Sequence, residues 1–514
     1  MRNLFSLIIL ILCSTNLFGQ TSDTYKNVGD SKFAAGLFKT AIDNYDNAIK
    51  KNNAGKAAAA ELYYKVGLCQ DSLRQFDEAI KAYTTSISLD PTVPNVYWSR
   101  AYIYSKNTKF QLSINDYLKV ISLTNNKLSL SQLYGNIALD ELDLKEADKA
   151  MASDSIAISL YPSASAPYII MGNIHNFRKE YGLAMGFFTK AMSYTNEFDN
   201  KKLSQLYANR GIAKNGLKKY KDAINDFSYA LLLNNQNRVA YWDRGASYHY
   251  NGDYILAADD YTKAISFYKD SNTDMSKLYD DRAVNETRQS LLTPAIQDDS
   301  TAIALDPDNK SAYFNQAIAY TQNGDYQKAI DRYRQVLNLT TDNNKLKAYF
   351  YFCIANDEYF LGEFDKVISD CSRSLSIDTS NASSYFYRGK VYLKKLNDKS
   401  LALKDFNKVL QLDTTRKSVN YIFSTFYIGN GDKAIAILKD NLLNAKENSG
   451  QLSAYYNLAC LYSLMNKPDE ANVYLKISVD KGYSKKYIIA DEDLDNIRKT
   501  DDYKAIMNNP VAAN

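Results

Sequence analysis

The sequence predicts an all-α fold in which short helical hairpins are repeated along most of the 514 residues. At least twelve times, a small residue is followed by another about twelve residues later, as Gly245 is by Ala257. Between them, apolar residues recur at intervals of three and four, which is the period of one helical face. Each segment therefore predicts two amphipathic helices whose small residues let the backbones approach each other closely.

Each hairpin is marked by its first small residue and, in most cases, by an aromatic ring near the middle of its second helix. The first small residues are Gly29, Gly67, Ala101, Ala138, Gly172, Gly211, Gly245, Ala283, Ala317, Ala355, Gly389 and Ala459. The rings are Tyr45, Tyr83, Tyr117, Phe188, Phe227, Tyr261, Tyr333 and Phe406. We expect the rings to fill the space between neighbouring hairpins.

This pattern closely resembles the tetratricopeptide repeat, a helix-turn-helix unit of about 34 residues. The resemblance covers residues 22–484, with repeats beginning near 22, 60, 94, 131, 165, 204, 238, 276, 310, 348, 382, 415 and 452. The unit at 415 is degenerate. The resemblance implies a right-handed superhelical solenoid of about 12 to 13 repeats, in which each hairpin buries its apolar face against its neighbours.

A second period lies inside the first, because successive repeats alternate between about 34 and about 38 residues. The building block is thus a two-repeat module of about 72 residues. The short joints contain Pro91, Pro162 and Pro307, and proline stops a helix. The long joints, such as 195–204 and 268–276, are polar, and we expect them to be solvated loops.

The two ends differ from the repeats. Residues 1–19 combine Arg2, an apolar run from Leu4 to Leu12 and a small-residue stretch, which is typical of a secretory signal cleaved after Gly19. We therefore expect the mature chain to be extracytoplasmic, periplasmic or secreted, without a transmembrane segment. Lipidation of Cys13 is an open alternative, and it would associate the chain with the outer membrane. Residues 485–507 predict a helical cap, and 508–514 a disordered tail.

Composition argues against several functions. Charged residues are interspersed and leave a net charge of +4, without the concentrated basic face that nucleic acid requires. Cys69, Cys353, Cys371 and Cys460 lack metal-ligand spacing, so we expect buried thiols, although Cys353 and Cys371 could pair. No hydrolase, nucleotide-binding or zinc-protease motif occurs. The sequence predicts a protein that is not an enzyme and has no cofactor or metal.

An arginine precedes the first small residue in five repeats, and an aspartate follows it sixteen or seventeen residues later. The pairs are Arg100 with Asp116, Arg210 with Asp226, Arg244 with Asp260, Arg282 with Asp298, and Arg388 with Asp405. Since acids match bases one for one, we expect ion pairs joining the two helices of a hairpin. A row of arginines that binds anions is the alternative.

Two repeats place carboxylates where others have rings: Glu141 with Asp154, and Glu286 with Asp299. Such pairs could share a proton, bind Ca²⁺ or act as the acid and base of a hydrolase. The simpler interpretation is a more hydrated hairpin in which nearby Lys or Arg side chains neutralise the carboxylates. A row of identical repeats forms no deep pocket in which such a pair could act on a substrate.

In the family that the chain resembles, the first helix of each repeat lines a concave groove. The candidate partner-binding residues are Tyr64, Trp98, Tyr102, Phe177, Trp242, Tyr250, Phe314, Phe352, Tyr359, Phe386 and Tyr456. An aromatic groove suits a protein or an extended peptide, although these rings could instead serve internal packing. We expect a non-catalytic binding scaffold. The alternative is a structural component of an envelope or secretion machine that uses convex or loop surfaces.

Overall fold

The computed structural model describes residues 21–194, 199–268, 271–445, 448–483 and 485–508. The expected signal segment and residues 509–514 of the expected tail lie outside these ranges. Regular structure within the described ranges is helical throughout. The chain divides into two compact units, and the boundary along the sequence falls between Asp253 and Tyr254. No helix in the described ranges has both the length and the apolar character needed to cross a bilayer.

The first unit consists of six helical hairpins and one further helix. Its helices are α1 (Ser22–Ala34), α2 (Phe38–Lys50), α3 (Lys56–Ser72), α4 (Phe76–Leu89), α5 (Pro94–Lys106), α6 (Phe110–Leu123), α7 (Lys127–Asp143), α8 (Ala147–Leu160), α9 (Ser165–Phe177), α10 (Tyr181–Met192), α11 (Asn200–Gly216), α12 (Tyr220–Leu233) and α13 (Arg238–Asn251). We call the odd-numbered helices up to α25, which begin the repeats, A helices, and the even-numbered ones up to α26 B helices.

The second unit begins with a B helix, continues with six hairpins and ends in a C-terminal segment. Its helices are α14 (Tyr254–Phe267), α15 (Asn272–Arg288), α16 (Leu292–Leu305), α17 (Lys310–Asn323), α18 (Tyr326–Leu339), α19 (Asn344–Leu361), α20 (Phe364–Ile377), α21 (Ala382–Lys394), α22 (Lys399–Leu412), α23 (Val419–Tyr427), α24 (Gly431–Asn444), α25 (Asn448–Leu464), α26 (Pro468–Asp480), α27 (Lys485–Ala490) and α28 (Asp501–Asn508). Within each unit, most A helices touch the A helix of the next repeat, and together the A helices form one face, which we call the A-helix face.

Small residues allow close approach inside each hairpin. A Cβ atom added to Gly67 would lie 2.4 Å from the ring of Tyr83, and one added to Gly172 would lie 2.5 Å from Phe188. The rings therefore rest on the small residue of their own hairpin. The same rings also pack against the next hairpin, as Tyr83 does in one buried cluster with Val96 and Ile103, so our expectation that they fill the space between hairpins is confirmed.

The two-repeat module has a structural counterpart in the lengths of the A helices. In the first unit α3, α7 and α11 have 17 residues each, whereas α5 and α9 have 13. The extra residues come from the long joints, so our expectation of solvated loops there was wrong in part. Asp199 and Ser271 accept hydrogen bonds from the backbone of the next turn and start α11 and α15 four residues before the repeat begins.

Glycine ends some A helices. Gly252 and Gly324 adopt φ values of 91° and 80°, and their N–H groups donate to carbonyls of the last helical turn. This left-handed conformation is costly for residues with a Cβ, which explains glycine at these two turns.

Candidate functional site

Four of the five arginine–aspartate pairs join the A and B helices of their hairpins. Arg100 donates from Nε and Nη2 to the two carboxylate oxygens of Asp116, over 2.7 and 2.8 Å. The same two-pronged contact joins Arg210 to Asp226, Arg282 to Asp298, and Arg388 to Asp405. Arg244 lies in the first unit and Asp260 in the second, and this fifth pair stays a prediction.

The remaining surface of these arginines is also in contact with protein. Arg100 lies over the ring of Tyr97, and its Nη1 atom donates to Thr84 of the preceding repeat over 3.0 Å. The hydrogen bond to Asp226 raises the pKa of Arg210 against the opposing effect of burial. Such arginines hold helices together, and this geometry does not favour a row that binds anions.

The surroundings of the carboxylates that replace rings confirm our expectation only in part. Glu286 lies 4.0 Å from Arg282, and Lys149 counteracts the rise that burial causes in the pKa of Glu141, whereas Asp154 and Asp299 are fully buried. Glu141 accepts a hydrogen bond from Ser153 over 2.7 Å, while Asp154 is fully buried and neither of its oxygens has a hydrogen-bond partner. Burial raises the pKa of Asp154 to about 8, and the Met171 backbone N–H, which lies nearby without the geometry of a hydrogen bond, opposes this shift only in part.

Asp299 is also fully buried, and burial together with the nearby Asp280 carboxylate raises its pKa. Glu286 is also close enough to raise the pKa of Asp299, but Asp280 contributes more. Within the described chain, no three His, Cys, Asp or Glu side chains are grouped so that they could hold a metal ion.

The candidate rings three residues before the first small residue take part in internal packing. Tyr64 and Trp98 are half-buried, and their rings lie 5.8 and 6.2 Å from the B-helix rings of Tyr83 and Tyr117. Phe314 and Phe386 make the same contact with Tyr333 and Phe406. Phe352 and Trp242 are half-buried, while Phe386 and Tyr456 are buried.

Other candidate rings are open to solvent on the A helices. Tyr102, Phe177 and Tyr250 are 48%, 51% and 65% exposed. Tyr250 nevertheless stacks on Tyr220 of the preceding repeat, with the ring centres 5.3 Å apart. These rings therefore contribute both to packing between repeats and to the accessible surface.

The C-terminal segment lies on the A-helix face of the second unit as well as at its end. After α27 the chain makes a short 3-10 turn, Glu492–Leu494, and Ile488, Leu494 and Ile497 are fully buried in the core of the last repeats. The Asn496 side chain donates to the Ser463 carbonyl of α25 over 2.8 Å. Apolar anchoring thus holds the segment in place.

Three consecutive acidic side chains of this segment meet donors from three A helices. Asp491 accepts from the Tyr456 hydroxyl of α25 over 2.6 Å, and Glu492 accepts from the Tyr359 hydroxyl of α19. Glu492 and Asp493 also contact lysines at the end of α21. The lysine contacts are Lys394 with Glu492 at 3.2 Å, Lys394 with Asp493, Lys395 with Glu492 at 2.8 Å, and Lys390 with Asp493 at 3.6 Å.

These contacts keep the Glu492 carboxylate charged. Burial opposes ionisation of Glu492, but hydrogen bonds from Lys395 and Tyr359 hold its pKa down to about 2. Burial also disfavours the charged form of Lys394, yet Asp493 keeps its pKa raised. We call residues 491–493 the clasp, because their acidic side chains contact three A helices of the second unit.

A cavity of about 520 Å³ lies between the clasp and the A-helix face. Its walls come mainly from A helices α19, α21, α23 and α25 and from the clasp, with Tyr326 and Phe364 contributed by B helices α18 and α20, and we call it the clasp pocket. Its lining includes the rings of Tyr359, Phe386, Tyr387, Phe423, Tyr456 and Tyr483, and the polar side chains of Lys390, Asn420, Asn457, Asp491, Glu492 and Asp493. A volume of this size suits a small ligand or a short stretch of polypeptide.

Three sequence-predicted residues, Tyr359, Phe386 and Tyr456, come together in this pocket, and the other candidates lie elsewhere. Sequence reasoning missed the lysines of α21 and interpreted the acidic run as a polar cap. A signal was available, because lysines 390, 394 and 395 face one side of a helix and the run 491–493 carries the opposite charge.

Cys69, Cys353, Cys371 and Cys460 are buried free thiols. His175 contacts Glu180 at 2.6 Å and stacks on Phe187.

Family models described as tetratricopeptide repeat match residues 60–93, 94–127, 300–331 and 452–476. A TPR repeat-containing protein of Methanocaldococcus jannaschii is 24% identical over 497 residues, which cover 90% of this chain and 77% of the relative. A DnaJ homolog subfamily C member 7 homolog of Dictyostelium discoideum is 22% identical over 355 residues, which cover 66% of this chain and 59% of the relative. A crystal structure of a tetratricopeptide repeat protein from Parabacteroides merdae has 17% identity and a TM-score of 0.43, covering 49% of this chain and 95% of that chain.

The stacked hairpins, with their A helices side by side, define an all-α helical-repeat protein. Together with the matches to family models and relatives, they identify the chain as a tetratricopeptide repeat protein. Proteins of this kind act in general as scaffolds that bind other proteins on the extended surface formed by their repeats.

Proposed function

We propose that this chain is a non-catalytic scaffold that recruits a protein or an extended peptide on its A-helix face. The clasp pocket carries the proposal, because there the face is concave, aromatic and already in contact with a polypeptide segment, the chain's own residues 491–493. Aromatic side chains in such pockets supply most of the energy of many protein interfaces. Asp154 and Asp299 are fully enclosed by protein, so a substrate has no access to them, which favours binding over catalysis.

A peptide library displayed on phage and selected on the purified chain tests this proposal. Selected peptides should bind the Tyr387→Ala variant at least tenfold more weakly than the parent chain, because one pocket ring is lost. The Trp98→Ala and Trp242→Ala variants measure the contribution of the first unit. Leu232→Ser is the matched control, since Leu232 lies on B helix α12 and is 79% exposed.

Equal binding to all A-helix variants, with loss only in the Leu232→Ser variant, would contradict the proposal. Circular dichroism of every variant distinguishes lost binding from lost folding.

An assembly component that uses its B helices is the second candidate. Large apolar side chains exposed on B helices of the first unit favour it: Leu112, Leu118, Leu183, Tyr229 and Leu232. Exposed apolar side chains clustered on one face can mark an interaction surface. The Tyr229→Ser and Leu232→Ser double variant should then lose assembly while peptide binding to the clasp pocket stays intact.

Export from the cytoplasm is also part of the proposal. It is supported by the apolar run between Leu4 and Leu12 and by the small residues that follow it. N-terminal sequencing of the protein from the cell envelope should give Gln20 as the first residue. A first residue at Cys13 would indicate the lipidated alternative, and an intact N-terminus in the cytoplasm would contradict export.

A further inference from the structure

The clasp pocket has a specific balance of charge. Its lining contains the ammonium group of Lys390 and the three carboxylates of the clasp, and Lys394 and Lys395, which are not part of the lining, pair with two of those carboxylates. Glu492 and Asp493 are engaged by the lysines of α21, so the clasp neutralises the basic end of that helix. A ligand with a net charge of either sign would find no uncompensated opposite charge in this pocket.

Two polar groups of the lining retain unused hydrogen-bonding capacity. Lys390 is only 11% exposed, and the part of the chain that the structure describes offers its ammonium group no hydrogen bond. Its Nζ atom lies 3.6 Å from Asp493 and 5.1 Å from the centre of the Tyr359 ring. Because the ammonium group of Lys390 has three N–H donors, it can donate a hydrogen bond to an acceptor group of a ligand bound in the pocket.

Asp491 is the second of these groups, and its carboxylate can accept further hydrogen bonds. Its carboxylate accepts from the Tyr456 hydroxyl over 2.6 Å and from the backbone N–H of Asp493 over 2.9 Å. An ionised carboxylate has about four lone-pair directions, so further donors can be accommodated. Among the polar groups of the lining, Lys390 thus offers a donor and Asp491 an acceptor between aromatic walls.

A peptide unit is the chemical group that matches this arrangement, since it is uncharged and carries one acceptor and one donor. We infer that the clasp pocket takes an uncharged peptide segment anchored by one aromatic side chain. The side chain packs between the rings of Phe386, Phe423 and Tyr456, while the backbone carbonyl accepts from Lys390 and the N–H donates to Asp491. This inference rests on the proposed function and specifies the partner at that site.

Capped pentapeptides of sequence Gly-Ser-X-Ser-Gly, with X as Phe, Ala, Glu or Lys, test the inference by calorimetric titration into the full chain. The Phe peptide should bind at least tenfold more tightly than the Ala peptide, because only a ring fills the aromatic space. The Glu and Lys peptides should bind no better than Ala. Tightest binding by Glu or by Lys would overturn the inference in favour of an acidic or a basic partner.

Two variants test the polar contacts. Lys390→Met keeps the aliphatic stem and removes the N–H donors, and it should weaken the Phe peptide about tenfold. Asp491→Asn retains the acceptor for Tyr456 but loses its charge, and a smaller loss is expected. Lys404→Met, at an exposed position on B helix α22, is the control that should change nothing.

Unchanged binding in the Lys390→Met variant, with folding intact by circular dichroism, would overturn the inference. The outcomes separate this inference from the proposed function. If phage-selected peptides bind the A-helix face but the Phe pentapeptide shows no preference, the partner chemistry is wrong and the scaffold proposal stands. If selected peptides bind only the B helices, both are wrong.

Discussion

Asp154 should make the folded chain less stable as pH rises. The side chain occupies the position that a ring takes in neighbouring repeats, and it is fully buried without a hydrogen-bond partner. Burial raises its pKa from 3.8 to about 8. Above about pH 4 the unfolded chain releases this proton whereas the folded chain retains it, so stability is lost between about pH 4 and pH 8.

The magnitude follows from the interval between the two pKa values. At about 1.4 kcal/mol for each pH unit, the penalty at pH 7 reaches about 4 kcal/mol as an upper value. Asp154→Asn keeps the shape of the side chain and cannot ionise. The variant should therefore be more stable than the parent by up to about 4 kcal/mol at pH 7, and nearly equal to it near pH 4.

Urea unfolding followed by circular dichroism near pH 4, 7 and 9 measures this difference. Asp148→Asn is the control, since Asp148 lies on the same helix with its side chain 91% exposed. A gain that is the same at all three pH values, or a less stable Asp154→Asn variant at pH 7, would refute the reasoning.

The remaining predictions concern packing and the ion pairs. Gly67→Ala places a methyl group about 2.4 Å from the Tyr83 ring and should cost about 1 to 3 kcal/mol. Gly186 lies on a helix where an added Cβ would meet open space, so Gly186→Ala should stabilise the folded chain by about 0.5 to 1 kcal/mol. Thermal unfolding measures both variants. A Gly67→Ala variant more stable than the Gly186→Ala variant would contradict the close contact between Gly67 and Tyr83. Arg388→Met should destabilise by about 3 kcal/mol, because it leaves the buried Asp405 carboxylate unpaired. Adding Asp405→Leu should restore part of the loss, and a double variant less stable than the single one would argue against the pair.

Much of the fold could be predicted from spacing. Gly67 and Tyr83, or Gly172 and Phe188, lie sixteen residues apart, and this interval is set by the geometry of a single hairpin. Local period and turn chemistry are sufficient to define such a unit. The extra turns of α11 and α15 were missed because Asp199 and Ser271 suggest loops by composition, although they act as helix caps.

The clasp pocket could not be predicted in the same way. It joins residues 491–493 to Tyr359, about 130 positions earlier, and repeat periodicity carries no information about such a contact. Opposite charge on α21 and on the clasp was visible in the sequence. Which surface the clasp would lie against depended on the burial of Leu494 and Ile497, a tertiary property of the last repeats.

Hydrogen exchange measured with and without a phage-selected peptide tests the central claim most directly. Binding on the A-helix face should protect amides of α19, α21, α23 and the clasp, while B helices α22 and α24, which contribute no residue to the pocket lining, keep their exchange rates. Protection confined to the B helices would contradict the account.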